Sequence, residues 1–142
     1  MNRILDECRW LYNYLLEQRK TVWEEARESL TLYDQHAILP TLRVRRPTLD
    51  LIHSQVLQNV AVRIDLAFKA FLRRVKEGEK PGYPRFRGKE RYDSFCYPQA
   101  PSGCKLVGSS LHLSKVGIVK VELHRPIEGR VKTVCVNRSS AD

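Results

Sequence analysis

Glycine is missing from the first 77 of the 142 residues, and there only Pro40 and Pro47 interrupt the chain. A long stretch without either backbone punctuator leaves little room for loops and favours extended helix. No apolar run approaches the roughly 20 residues of a membrane span. The opening MNRILDECRWLYN places Asp6, Glu7 and Arg9 where a signal peptide needs an apolar core, so the expected location is the cytosol or nucleoid. The four cysteines, Cys8, Cys96, Cys104 and Cys135, form no C-x-x-C pair, which removes the usual zinc-ribbon and redox signatures. In a reducing compartment they are expected to be unpaired, partly buried small residues. The chain has no P-loop, no G-x-G-x-x-G and no G-x-S-x-G, and no two of His36, His53, His112 and His124 share helical ligand spacing.

What the chain does have is positive charge. Lys and Arg number 25 against 16 Asp and Glu, a formal net charge of +9. That surplus favours a polyanionic partner, because each neutralised phosphate releases a counterion. A hydrophobic fraction of 42% is enough for a packed core.

The apolar pattern changes near Gly78. Ile4, Cys8, Leu11, Leu15, Val22, Ala26 and Leu30 step by three and four, one face of a long amphipathic helix. Thr31 to Leu39 fits a short second helix ended by Pro40, and Arg43 to Arg46 reads as a basic connection. Thr48, with Ser54 as an alternative, is the expected N-cap of another long helix. Its stripe is Leu49, Ile52, Val56, Val60, Ile64, Ala67, Phe71 and Val75, and Gly78 ends it. His53 is expected at the surface or the helix start. Residues 79 to about 103 lack a period and carry Pro81, Gly82, Pro84, Gly88 and Pro98, an irregular extended segment. From Cys104 the pattern alternates, with Gly108, Gly117 and Gly129 at hairpin-like intervals, and His112 is expected to face solvent. Three or four short antiparallel strands follow. The fold class is therefore α+β: a helical hairpin or bundle over residues 1–78, then a basic linker and a partial antiparallel β-barrel over 79–142.

Two stretches could carry binding chemistry. In Arg73 to Arg91, the cations Arg73, Arg74, Lys76, Lys80, Arg85, Arg87, Lys89 and Arg91 are interleaved with Tyr83, Phe86 and Tyr92. Cations reach phosphates and aromatics stack on bases; equally, such aromatics can simply dock on the helices. In Leu123 to Lys132, His124, Arg125, Arg130 and Lys132 flank a Pro126–Gly129 turn, suited to a sugar–phosphate backbone or to an ordinary solvated hairpin. Catalysis finds little: Glu90, Asp93, Glu122, Glu128 and Asp142 are scattered, and Glu24, Glu25 and Glu28 read as a solvated helix face.

Five strings in this order, CRWLYNYLLEQRK from Cys8, SQVLQ from Ser54, AFKAFLRRVKEGEKPGYPRFR from Ala67, DSFCYPQ from Asp93 and LHLSKVGIVKVELHRPIEGRVKTVCV from Leu111, span nearly the whole chain. By them it resembles the TnpB, or OrfB, proteins of insertion sequences, RNA-guided DNA endonucleases related to the type V CRISPR effectors. The resemblance implies a helical recognition lobe over Met1 to Gly78, the part also described as a helix-turn-helix DNA-binding domain in this transposase family. From about Gly82 onward it implies most of a wedge-type β-barrel. It implies guide RNA and target DNA as partners, with no membrane or small-molecule partner. Departures from the family also matter. A first strand expected before the position of Cys8 has no counterpart. The RuvC-like nuclease domain, with its three carboxylates and four zinc cysteines, would begin after the strand matching Val131–Val136; Asp142 falls too early to be the first carboxylate. The resemblance thus implies a nucleic-acid-binding part without the cutting domain, not an enzyme, and no cofactor. A free-standing helix-turn-helix protein and a non-functional truncated transposase product remain the other readings.

Overall fold

The structure, a computed structural model, describes residues 2–139; Asp142 lies outside them. The chain is α+β. Among the described residues four helices come first: α1 (Asn2–Ala26), α2 (Leu32–Ala37), α3 (Leu39–Arg45) and α4 (Ser54–Lys76). Five four-residue strands follow: β1 (Ser94–Tyr97), β2 (Cys104–Val107), β3 (Ser110–Leu113), β4 (Gly117–Lys120) and β5 (Val134–Asn137). They make two small antiparallel sheets, β1–β5 and β2–β3–β4, and no closed barrel among the described residues.

The two long helices pack by the middle of the stripes the sequence sets out, while Ile4 and Val22 are half-buried and Ala26 and Val75 are exposed. Leu5, Cys8, Leu11, Leu15 and Leu16 of α1 meet Val56, Leu57, Val60, Ala61 and Ile64 of α4, all nearly solvent-free. Each such side chain contributes on the order of 2 kcal/mol by leaving water. Desolvation pushes the buried Cys8 thiol up to about 12, so it behaves as a small apolar residue. The core does not stop at the helices: Phe95, Tyr97, Cys104 and Leu113 from the strands join the same cluster, and β1 lies against α4 and α1.

Several boundaries differ from the sequence reading. Helix α1 ends at Ala26, with Arg27 at φ 54, so Leu30 lies beyond its stripe. Thr31 caps α2 through a reciprocal box with Asp34, in which each side-chain oxygen accepts from the other residue's backbone N–H. Pro40 starts α3 rather than ending a helix, because the first turn needs no N–H from it; Arg43 and Arg45 are consequently helical, not a connection. Pro47–Leu51 is a 3₁₀ turn that still buries Leu49. The N-cap of α4 is neither Thr48 nor Ser54 but His53, whose Nδ1 accepts from the Gln55 N–H at 3.1 Å. Gly78, at φ 75, closes α4 in a Schellman arrangement, with Glu79 N–H donating to Arg74 O at 3.0 Å and Gly78 N–H to Val75 O at 3.3 Å.

The β part departs further. β1 sits inside the segment read as irregular, because its alternation is masked: Phe95, Cys96 and Tyr97 are all buried. β4 ends at Lys120, so Val121 and Leu123 do not extend it. The Pro126–Gly129 region is not a hairpin; residues 121–133 form no strand and cross from one sheet to the other. Cys96 and Cys135 are not unpaired. They face each other in the β1–β5 register and form a disulfide, a pairing that 39 residues of separation hid; Cys8 and Cys104 are buried and free.

Candidate nucleic-acid interface

The extended segment after Gly78 folds back along the long helices. Arg74 Nη2 donates to Gly82 O at 3.2 Å. Tyr83 then sets its ring edge-on to Phe71 at 5.2 Å and Phe68 at 5.6 Å. Burial, with Glu24 nearby, raises the Tyr83 hydroxyl above its ordinary pKa. At Asn13 of α1 the segment is clamped through its backbone: Arg87 N–H donates to Asn13 Oδ1 at 2.8 Å, and Asn13 Nδ2 donates to Arg87 O at 3.0 Å. A side-chain amide that copies a peptide's donor and acceptor is the means by which a helix can hold an extended strap.

On one side of this strap is a cleft of about 530 Å³ between α1, α4 and the start of β1. Arg63, Arg87 and Arg91 line it together with Tyr12 and Tyr92. Arg63 is fixed by β1: its Nη1 donates to Ser94 O at 2.8 Å and Nη2 to Ser94 Oγ at 3.0 Å. Its guanidinium lies 5.5 Å from the Tyr92 ring, and that of Arg87 lies 5.5 Å from the Tyr12 ring. Burial raises the Tyr92 hydroxyl well above its usual range. The acid at the rim, Asp93, is held by Arg138 at 2.8 Å.

On the other side lies a second recess of about 480 Å³, lined by Arg9, Trp10, Tyr14, Arg46, Phe86 and Lys89, with Asp6, Asn13 and Glu17 completing it. Trp10 and Tyr14 stack at 5.2 Å, one helical turn apart. The Arg46 guanidinium sits 4.2 Å over Trp10 and pairs with the buried Glu7 at 2.8 Å.

The expected binding residues divide accordingly. Arg87 and Arg91 meet in the first cleft, Phe86 and Lys89 in the second, and Arg85 and Lys80 are exposed along the strap. Arg73 and Lys76 are exposed at the end of α4, while Arg74 is half-buried by its bond to Gly82. Tyr83 is docked on the helices. His124, Arg125, Arg130 and Lys132 are exposed on the crossing segment. They do not share this groove. Lys132 O accepts from Ala100 N–H beyond the Tyr97 end of β1, whereas Arg91 precedes its Ser94 end. The two basic stretches thus enter the β1–β5 ribbon at opposite ends, about 10 Å apart along the strand.

Arg63, Trp10, Tyr12, Tyr14 and Arg46, which line or adjoin these recesses, were not among the candidate residues of the sequence, whereas Tyr92 was. The i,i+4 aromatics of α1 were legible; Arg63 was not, since it reads as a solvated position until β1 docks beside it. His112 is half-buried opposite Ile118 rather than fully exposed. Among the described residues no group of three or more His, Cys, Asp or Glu could hold a metal ion, and no helix is long and apolar enough to cross a membrane. Compared with protein-family models and with curated proteins, the chain matches none.

Proposed function

We propose that this chain binds nucleic acid through the basic and aromatic band that crosses α1, taking phosphates in the Arg63–Arg87–Arg91 cleft. The observation that carries the reading is the convergence of three guanidinium groups in one recess of about 530 Å³, on a chain of net charge +9. Planar guanidinium forks match phosphate oxygens, and backbone contacts of this kind position a polyanion without reading its sequence. The resemblance to the TnpB proteins supports the partner class: guide RNA and/or target DNA, held through backbone contacts. Binding without strand cleavage is the proposed activity.

Fluorescence anisotropy of labelled RNA and DNA across a salt series tests this. Arg87→Ala with Arg91→Ala should weaken binding and flatten the log–log salt slope by about 0.7–0.9 for each phosphate that is no longer neutralised. Lys20→Ala with Arg45→Ala, which removes two exposed cations outside the band, should do less. Equal weakening by both pairs would mean a diffuse surplus rather than a site.

A further inference from the structure

We infer that the band takes a single strand, with an unpaired base seated in the Trp10–Tyr14–Phe86 recess and the neighbouring phosphates in the arginine cleft. This rests on the nucleic-acid reading above and narrows it to a substrate class. Phe86 and Arg87 are consecutive in the strap, yet they line different recesses. One enters the aromatic recess and the other the arginine cleft. A strand lying across the strap therefore meets rings on one side and guanidinium groups on the other within one residue's rise.

The chemistry of the aromatic side asks for a base, not only a backbone. Phe86 keeps 52% of its surface exposed, although it lies beside the half-buried Trp10 and Tyr14. The 480 Å³ recess falls within the usual size of small-ligand sites. In a duplex the faces of the bases are covered by their neighbours, and only edges and backbone reach a protein; an aromatic face is used when the base is unstacked. Charge complements the strand's phosphates: the two recesses together carry six cations (Arg9, Arg46, Arg63, Arg87, Lys89, Arg91) against three carboxylates (Asp6, Glu17, Asp93). One of those carboxylates, Asp93, is already held by Arg138, and one of the cations, Arg46, by Glu7, so the surplus remains on the cationic side.

The test uses the full chain carrying Trp23→Phe, which leaves Trp10 as the single tryptophan. Three probes of equal length are titrated: a single-stranded oligonucleotide, its duplex, and an abasic oligomer with the same phosphates and no bases. The single strand should quench Trp10 and bind roughly tenfold or more tightly than either other probe, the increment of one stacked base. Phe86→Ala should abolish that advantage while leaving the salt slope unchanged, because no charge is altered. Phe86→Leu, which keeps an apolar side chain at this exposed position, should behave like the alanine variant. Duplex and abasic probes binding as tightly as the single strand, or a preferred single strand that leaves Trp10 unquenched, would overturn the inference while the nucleic-acid reading stands. Failure of all three probes to bind would overturn both.

Discussion

Arg19 holds its guanidinium out of water, and the neutralisation of that charge can be tested directly. Its side chain is 8% exposed and that of Asp65 11%, with Arg19 Nη2 3.1 Å from Asp65 Oδ1. Arg19 Nε donates to Gln35 Oε1 at 2.8 Å, and Gln35 Nε2 donates in turn to Leu15 O at 2.9 Å. These bonds tie α1, α2 and α4 together. Arg19 also lies 5.2 Å over the Phe68 ring. Replacing Asp65 by alanine leaves the guanidinium buried without its counter-charge, a loss of roughly 3–5 kcal/mol when a buried pair is broken on one side. Gln35 remains as an acceptor, so the lower end, about 3 kcal/mol, is expected. The pair of Asp65 with Lys69 adds little, because Lys69 is 72% exposed. For a chain of this size, ~3 kcal/mol corresponds to a fall of about 10 °C in Tm. Urea unfolding followed by circular dichroism measures it. The double variant Arg19→Met, Asp65→Leu should recover most of the loss, since both desolvated charges are gone; only Gln35 Oε1 is left without its donor. A loss below about 1 kcal/mol for Asp65→Ala, or strictly additive losses in the double variant, would refute the reasoning. The pH dependence has a defined sign. Burial alone would push the Asp65 carboxyl up, but the hydrogen bonds and charges of Lys69 and Arg19 outweigh it and hold the group below its ordinary value. A carboxylate depressed by folding contributes stability that is complete above its unfolded pKa, about 4. That contribution is lost as pH falls through the folded value, so Asp65→Ala should flatten the acid limb of the stability curve.

Other outcomes follow from the same structure. His53 has its imidazole pKa lowered by burial, then by Lys115 and Arg43. A histidine depressed by folding contributes stability that is present above its unfolded pKa and lost as pH falls toward the folded one; urea midpoints should drop on acidifying from about pH 7 to 5, and His53→Asn, which keeps a capping oxygen, should remove that drop. Cys135→Ser opens a loop of 39 residues and should cost up to about 4 kcal/mol under non-reducing conditions and nothing further in reductant, read by parallel denaturation curves. Gly103, at φ 84 with a Cβ position 2.9 Å from His53 Cε1, should not accept alanine; at least ~1 kcal/mol of stability should be lost, and an unchanged urea midpoint would contradict it. On the proposed reading, binding without cleavage, the purified chain incubated with Mg²⁺ and labelled DNA, with or without RNA, should leave the DNA intact on a denaturing gel, and cut DNA would contradict it.

Local periodicity alone carries the helical half of this protein. The stripes from Ile4 to Ala26 and from Val56 to Val75 mark two long helices by their period, although only their middle parts leave water and Ala26 and Val75 stay exposed, and Gly78 ends the second because it tolerates a left-handed residue. The α+β division, the strands near Leu111 and Val134, and the basic character of the strap were legible for the same reason. The rest came from packing between distant segments. β1 is four residues with three consecutive ones buried, so both of its faces are covered and its sequence shows no alternation. His53 became a cap only because the 3₁₀ turn before it places its ring nitrogen over Gln55 N–H. Cys96 and Cys135 were joined by strand register, which pairs residues 39 apart and leaves no mark in local sequence. The candidate interface is of the same kind. Arg87 and Arg91 could be read from the basic stretch, but their meeting with Arg63 depends on β1 docking beside α4, and their position beside Trp10 and Tyr14 depends on the Asn13 clamp. Periodicity reports which face of an element leaves water; which distant segments then touch is settled only when those faces pack.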